Sequence, residues 1–213
     1  MPYLPLFIRP ESLRVLVVGS GPVGSARAKK LRSLGVKVTV VSLTDSPELR
    51  KDGIEVIVAD ALKLETSFYS QFHIVIASTG KEEVNEVICK KVREAGRLCD
   101  NPLDRQGTDF ILPIFVANDV LEIAITSYGA STQFAKEVLE RVERILSDPK
   151  LLNLGKASSL LKPLVKSYVS DPKLRVKLYH EIYNDTKFRE LAEKGDIEGA
   201  KSRAVEVIKN ATQ

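Results

Sequence analysis

The sequence predicts an α/β fold: a doubly wound parallel sheet, then a small α+β segment, then an all-helical C-terminal domain. Three observations predict it. A β-branched run, Val15 to Val18, enters Gly19-Ser20-Gly21-Pro22-Val23-Gly24 and is followed by helical spacing. Strand-like and helix-like stretches then alternate as far as Cys99, the order that a parallel sheet with helical crossovers requires. Beyond Pro149 the strand-like runs cease and apolar residues recur at helical intervals.

Taken in order, Arg14–Val18 reads as the first strand, Ser25–Ser33 as the first helix and Lys37–Val41 as the second strand. Pro47–Lys51 is a short helix, Ile54–Val58 the third strand and His73–Ala77 the fourth. Lys81–Ala95 is a helix, and Leu98–Cys99 opens a fifth strand. Ile111–Val116 and Val120–Thr126 follow with only Ala117-Asn118-Asp119 between them, which calls for an antiparallel hairpin. Ser131–Leu146 is a helix carrying Phe134, Val138, Val142 and Ile145, stopped by Asp148-Pro149. In the tail, Leu160, Leu161, Leu164, Val165 and Tyr168 share one helix, and Val176, Tyr179, Ile182 and Tyr183 another. Asp196-Ile197-Glu198 caps a last helix through Ile208. The expected division is 1–112, 113–147 and 148–213.

Composition excludes several classes. No apolar stretch approaches the length of a membrane span, and MPYLPLFIRP lacks a basic segment followed by an apolar one, so no membrane role and a cytoplasmic location are expected. A net charge of +4 without an arginine-rich run argues against a nucleic-acid partner and suits an acidic small molecule. Cys89 and Cys99 lie in separate elements without a CxxC spacing, so buried free thiols are expected rather than a disulfide or zinc site. His73 opens a strand and His180 lies in the tail, so no permanent metal is expected.

The glycine motif makes the first unit Rossmann-type. Gly19 permits a tight turn, Gly21 lets backbone approach a pyrophosphate, and Gly24 lets helix and strand pack closely. Ser20, Pro22 and Val23 complete the anion-binding turn at the helix N-terminus. The second strand ends in Ser42-Leu43-Thr44, where an adenine ribose would lie; Ser42 brings no carboxylate for NAD and no charge to repel a 2′-phosphate, leaving NAD and NADP both open. Ser78 and Thr79 after the fourth strand either line the other half of a cofactor or form a strand-to-helix loop.

Further residues carry a resemblance. Leu4-Pro5-Leu6-Phe7, VLVVGSGPVG, Ala77-Ser78-Thr79, Val84-Asn85, Asn101-Pro102-Leu103-Asp104 and Asp109-Phe110-Ile111-Leu112-Pro113 fall in an order similar to that of the precorrin-2 dehydrogenases. These are the siroheme-synthase amino-terminal modules, some of which also act as sirohydrochlorin ferrochelatases. The resemblance covers residues 4 to about 146. It implies oxidation of precorrin-2 to sirohydrochlorin with NAD as hydride acceptor, insertion of transiently bound ferrous iron in some relatives, and a homodimer built through 113–147. No methyltransferase module is recognised, so that step is expected of another chain. A non-catalytic dinucleotide sensor and a chelatase without dehydrogenase activity are the competing readings.

The resemblance also assigns residues. Asp104 alone reads as a turn residue in a polar loop; the family places its key carboxylate there. Asn101 either meets the nicotinamide amide or supports the loop, with support preferred, and Asp109 reads as a cap or turn residue. Ser127 and Tyr128 match the strand-and-turn segment at the substrate end, Tyr128 replacing the family's glycine. The family often has Arg-Lys where this chain has Ala26-Arg27, so Arg27 is expected to serve the phosphates alone, and Asp100 is an unusual charge. Lys156, Lys162, Lys166, Lys173, Arg175 and Lys177 read as a solvated helix face rather than a binding patch.

Overall fold

In the computed structural model, which describes residues 3–104 and 106–212, the chain divides into two units, Met1–Leu112 and Pro113–Gln213. The first is built on β1 (Arg14–Val18), β2 (Lys37–Ser42), β3 (Glu55–Val58), β4 (Ile74–Ala77) and β5 (Leu98–Asp100), all parallel and ordered β3-β2-β1-β4-β5. The intervening helices are α1 (Pro22–Ser33), α2 (Pro47–Lys51), α3 (Thr66–Tyr69) and α4 (Glu82–Glu94). Register pairs Val18 with both Val41 and Ala77, so the carboxyl ends of the three central strands share one edge. The connections after β1 and β4 run in opposite directions, and the crevice between their ends is where such sheets bind ligands.

Alternation along each strand builds a core on both faces. Val15, Val17, Val38, Val40 and Ile76 pack with Ala28 and Leu31 of α1 and Leu49 of α2. On the other face Leu16, Val18, Val41, Val75 and Ala77 meet Tyr69, Ile88 and Val92. Each such aliphatic burial contributes about 1.5–3 kcal/mol.

Several boundaries differ from expectation. The first helix starts at Pro22, not Ser25, because proline at the first helical position forfeits no bond and has its φ preset. Strands β6 (Ile114–Ala117) and β7 (Glu122–Ile125) replace Ile111–Val116 and Val120–Thr126. Pro113 cannot donate to a ladder, and the Asn118 side chain accepts from the N–H groups of Val120 and Leu121 at 2.9 and 2.8 Å, drawing both into the turn. The hairpin is antiparallel, pairing Ile114 with Ile125, and is followed by α5 (Thr132–Leu146), whose cap Ser131 accepts from Phe134 N–H at 3.1 Å.

The tail forms α6 (Pro149–Ser159), α7 (Leu161–Tyr168), α8 (Pro172–Asn184), α9 (Thr186–Glu193) and α10 (Ile197–Thr212), two more helices than the apolar spacing distinguished. Asp148, Asp171 and Asp185 cap α6, α8 and α9, and prolines open the first two. Leu154, Leu161, Val165, Leu178, Ile182, Phe188 and Ile208 form their shared core. Helix α8 turns Leu178 and Ile182 inward, while Val176 and Tyr183 face outward.

The cysteines correct the expectation of free thiols: Cys89 of α4 and Cys99 of β5 are joined in a disulfide, with Cα atoms 5.3 Å apart. Cys89 sits on the inward side of its helix with Ile88 and Val92, and Cys99 on the face that this helix covers. The helix-to-strand reversal thus brings together two residues ten apart that no local spacing links. No helix among the described residues is long and apolar enough to cross a membrane.

Candidate functional site

The loop after β1 fits an anion at its mouth. Gly19 turns at φ +105°, and a Cβ there would lie 2.3 Å from the Ser78 carbonyl oxygen, so only glycine lets β1 and β4 end side by side. A Cβ on Gly24 would lie 2.1 Å from the Gly19 carbonyl oxygen, so the helix can seat against the turn only without one. A Cβ on Gly21 would meet nothing within 4 Å, which leaves open room before the helix N-terminus. Gly21 caps α1 with no side-chain hydrogen bond and Pro22 has no N–H, so the first-turn amides of Val23 and Gly24 face that room. Ser25 Oγ donates to the Ser20 carbonyl at 2.8 Å and fastens the turn.

A cleft of about 400 Å³ opens over this edge, lined by Gly19 to Gly21, Val41 to Thr44, Ala59 to Leu62, Ser78, Thr79, Lys81 and Val84. It brings together Gly19, Ser20, Gly21, Ser42, Leu43, Thr44, Ser78 and Thr79 of the residues expected to hold a cofactor. Ser42 is buried; its hydroxyl lies 2.8 Å from Ser20 Oγ and 2.5 Å from the Thr44 carbonyl, so it ties the glycine turn to the end of β2. Ser78 Oγ is buried without a hydrogen-bond partner, an orphaned polar atom that suits a bound ligand at this wall.

Asp60 and Lys81 also line the cleft, and sequence reasoning missed them. Their signal was position, immediately beyond the third and fourth strands, but it points to the cleft only once the strand order is known. Asp60 Oδ1 accepts from Leu62 N–H at 3.0 Å. Beneath it, Tyr69 donates to the Ala61 carbonyl at 2.9 Å, and burial, with the negative charge of Asp60, pushes its phenol up to about 12. The hydroxyl therefore stays a neutral donor that holds the cleft floor.

Asp104 does not line the cleft but stands in the loop after β5. Its N–H donates to the Asn101 carbonyl at 3.1 Å, and Oδ1 accepts from Gln106 N–H at 2.8 Å. A Cβ on Gly107 would lie 2.1 Å from Oδ2, so that glycine leaves the second carboxylate oxygen its space. Asn101 is buried; its Oδ1 accepts from Leu103 N–H at 3.2 Å and from Asn85 Nδ2 at 3.1 Å, the bonding of a loop support. Asp109 accepts from Arg93 and from Cys99 N–H, pinning the far end of the loop to α4 and β5.

Arg27 corrects an expectation. Instead of standing free for phosphates, it forms an ion pair with Asp100, whose other oxygen accepts from Thr108 Oγ1 at 2.9 Å. The unusual acid at the end of β5 is thus the arginine's partner. The α1 dipole and Lys81 leave positive potential at the cleft.

Ser127 and Tyr128 lie in the second unit. Ser127 Oγ donates to the Ser131 carbonyl at 2.9 Å and accepts from Ser131 N–H at 3.1 Å, holding the turn before α5. Tyr128 sits at φ +53°, a left-handed conformation that glycine adopts without cost, with its ring half exposed.

A protein-family model described as "Putative NAD(P)-binding" matches residues 6–114, half of the chain. Siroheme synthase of Psychromonas ingrahamii is 29% identical over 204 residues, which are 94% of this chain and 42% of that protein. Siroheme synthase 1 of Aeromonas salmonicida is 31% identical over 147 residues, 68% of this chain and 31% of its own length. The chain thus spans less than half the length of these relatives. Among solved structures, one titled "SirC, precorrin-2 dehydrogenase" shares the fold over 98% of this chain and 100% of its own, with a TM-score of 0.67 at 19% identity. From the glycine-turn cleft and these matches together, the chain belongs to the NAD(P)-binding family represented by the amino-terminal module of the siroheme synthases.

Proposed function

We propose that this chain is an NAD-dependent dehydrogenase that oxidises precorrin-2 to sirohydrochlorin in the cytoplasm. The reading is carried by one arrangement: a cleft beside the glycine turn at the carboxyl edge of the sheet, bonded through buried amides to a loop that presents a carboxylate. The relatives named for siroheme synthesis supply the substrate class. Gly19 to Gly24 and the α1 dipole hold the pyrophosphate, the wall from Val41 to Thr44 receives the adenine ribose, and Ser78 and Thr79 line the path toward the nicotinamide. Bound NAD supplies the hydride acceptor.

The protein's own part is placement and proton removal. Asp104 Oδ1 accepts from Gln106 N–H, which orients the carboxylate, and Oδ2 is assigned the proton released as the macrocycle is oxidised. The same oxygen suits the pyrrole N–H protons that leave when ferrous iron enters sirohydrochlorin, and in the second unit Ser127 and Tyr128 are assigned to the substrate.

A homodimer is part of the same reading. On α5, Phe134 and Ile145 are about 62% and 63% exposed, and the facing strands β6 and β7 contain no fully buried residue. An apolar helix face over a half-covered hairpin fits a second copy.

The test incubates precorrin-2 with the protein, with and without NAD, and follows the sirohydrochlorin spectrum and ferrous-iron uptake separately. NAD-dependent sirohydrochlorin is expected, and Asp104→Ala or Asp104→Asn should cut its rate about 10²–10⁴-fold while NAD binding persists. Ferrous-iron insertion into sirohydrochlorin supplied directly, without any NAD-dependent oxidation of precorrin-2, establishes the chelatase reading instead. NAD binding with neither reaction establishes the sensor.

A further inference from the structure

We propose that Asn85, whose side chain is fully buried in α4, is the positioning residue that couples the dinucleotide cleft to the Asp104 loop. The inference deepens the dehydrogenase reading and rests on it for the role of Asp104. Its basis is a continuous chain of directional bonds. Asn85 Oδ1 accepts from Thr79 N–H at 3.1 Å and from Thr79 Oγ1 at 2.7 Å, at the cleft wall. Asn85 Nδ2 donates to Asn101 Oδ1 at 3.1 Å, and that oxygen also accepts from Leu103 N–H at 3.2 Å, one residue before Asp104.

Both amide orientations are dictated. The backbone N–H of Thr79 can only donate, so Oδ1 of Asn85 must face it and Nδ2 must face Asn101. The backbone N–H of Leu103 can only donate, so Asn101 must present Oδ1 to Leu103 and to Asn85 together. Neither amide can flip without leaving a buried donor opposite a donor, which costs the full desolvation of the orphaned group. A ligand that fixes Thr79 therefore also fixes Asn101, and with it the turn in which Asp104 N–H donates to the Asn101 carbonyl. The Arg27–Asp100 ion pair ties α1 to the end of β5, and the Cys89–Cys99 bridge ties α4 to β5, both without these amides, so the fold keeps its strand order when the amide link is cut.

The test is Asn85→Asp, which keeps an oxygen for Thr79 and sets a second oxygen against Asn101 Oδ1 where a donor stood. Two readouts are taken. With NAD bound, amide hydrogen exchange at Leu103, Asp104 and Gln106 should be about tenfold faster in the variant than in the wild type, while exchange at Thr79 and Lys81 stays protected. With precorrin-2, kcat should fall at least about tenfold while the NAD dissociation constant changes less than about threefold. Unchanged exchange at Leu103 and Asp104 overturns the coupling, as does a variant in which NAD affinity and kcat fall by the same factor. If the wild type does not oxidise precorrin-2, the dehydrogenase reading falls, and the exchange measurement alone decides the coupling. If Asn85→Asp does not fold, Asn85→Ser replaces it: it buries no charge and has no amide nitrogen to reach Asn101. It should weaken the NAD-induced protection of Leu103 and Asp104, and full protection in that variant overturns the proposal.

Discussion

Two glycines of one turn carry different burdens, and substitution separates them. Alanine at Gly24 drives a Cβ into the Gly19 carbonyl, so Gly24→Ala should lower stability by about 1–3 kcal/mol and abolish NAD binding together. Alanine at Gly21 meets open space, so Gly21→Ala should keep stability within about 1 kcal/mol, the loss of a glycine cap. It should nevertheless weaken NAD about tenfold or more, because the new methyl occupies the room before the helix N-terminus. Denaturant melts and calorimetric NAD titration check both; equal affinity in Gly21→Ala and the wild type would place the pyrophosphate elsewhere. These positions were legible because the chemistry of a tight strand-to-helix turn depends on residues adjacent in sequence. Asp60 and Lys81 were not legible beside Ser78, since their meeting depends on β1 lying between β2 and β4. The partnership of Arg27 with Asp100, seventy-three residues apart, was hidden for the same reason.

At the scale of elements, alternation and glycine or proline punctuation located all five strands of the parallel sheet within a residue or two. They failed where side chains override pattern. Asn118 drew Val120 and Leu121 out of the strand into the hairpin turn, and Asp148 and Asp185 cap α6 and α9, two helices that the apolar spacing did not distinguish. The unforeseen disulfide is also an element-scale feature, because it clamps α4 onto β5 between Asn85 and Asn101. Closing a loop of this length stabilises by about 2–3 kcal/mol through the unfolded chain. Cys89→Ala combined with Cys99→Ala should lower the unfolding free energy by at least that amount, measured by denaturant melts. Thiol titration of the unfolded, unreduced wild type should find no reactive thiol; two would show that the bridge does not form.

At the scale of the whole molecule, the apolar face of α5 leads to a further test. Phe134→Glu should shift a sedimenting dimer to monomer without loss of helical content, since Phe134 contributes little to the core of its own unit. A wild-type monomer at micromolar concentration would remove the dimer from the proposal. By itself the sequence determined the parallel sheet, the glycine turn and the helical tail, because period, β-branching and turn chemistry act between near neighbours. The tertiary structure alone decided which distant residues meet: the cleft wall, the Arg27–Asp100 pair, the Cys89–Cys99 bridge and the buried amides from Thr79 to Asp104. Those contacts depend on strand order and on which helix covers which face. Both arise from packing the entire chain, and no local window contains them.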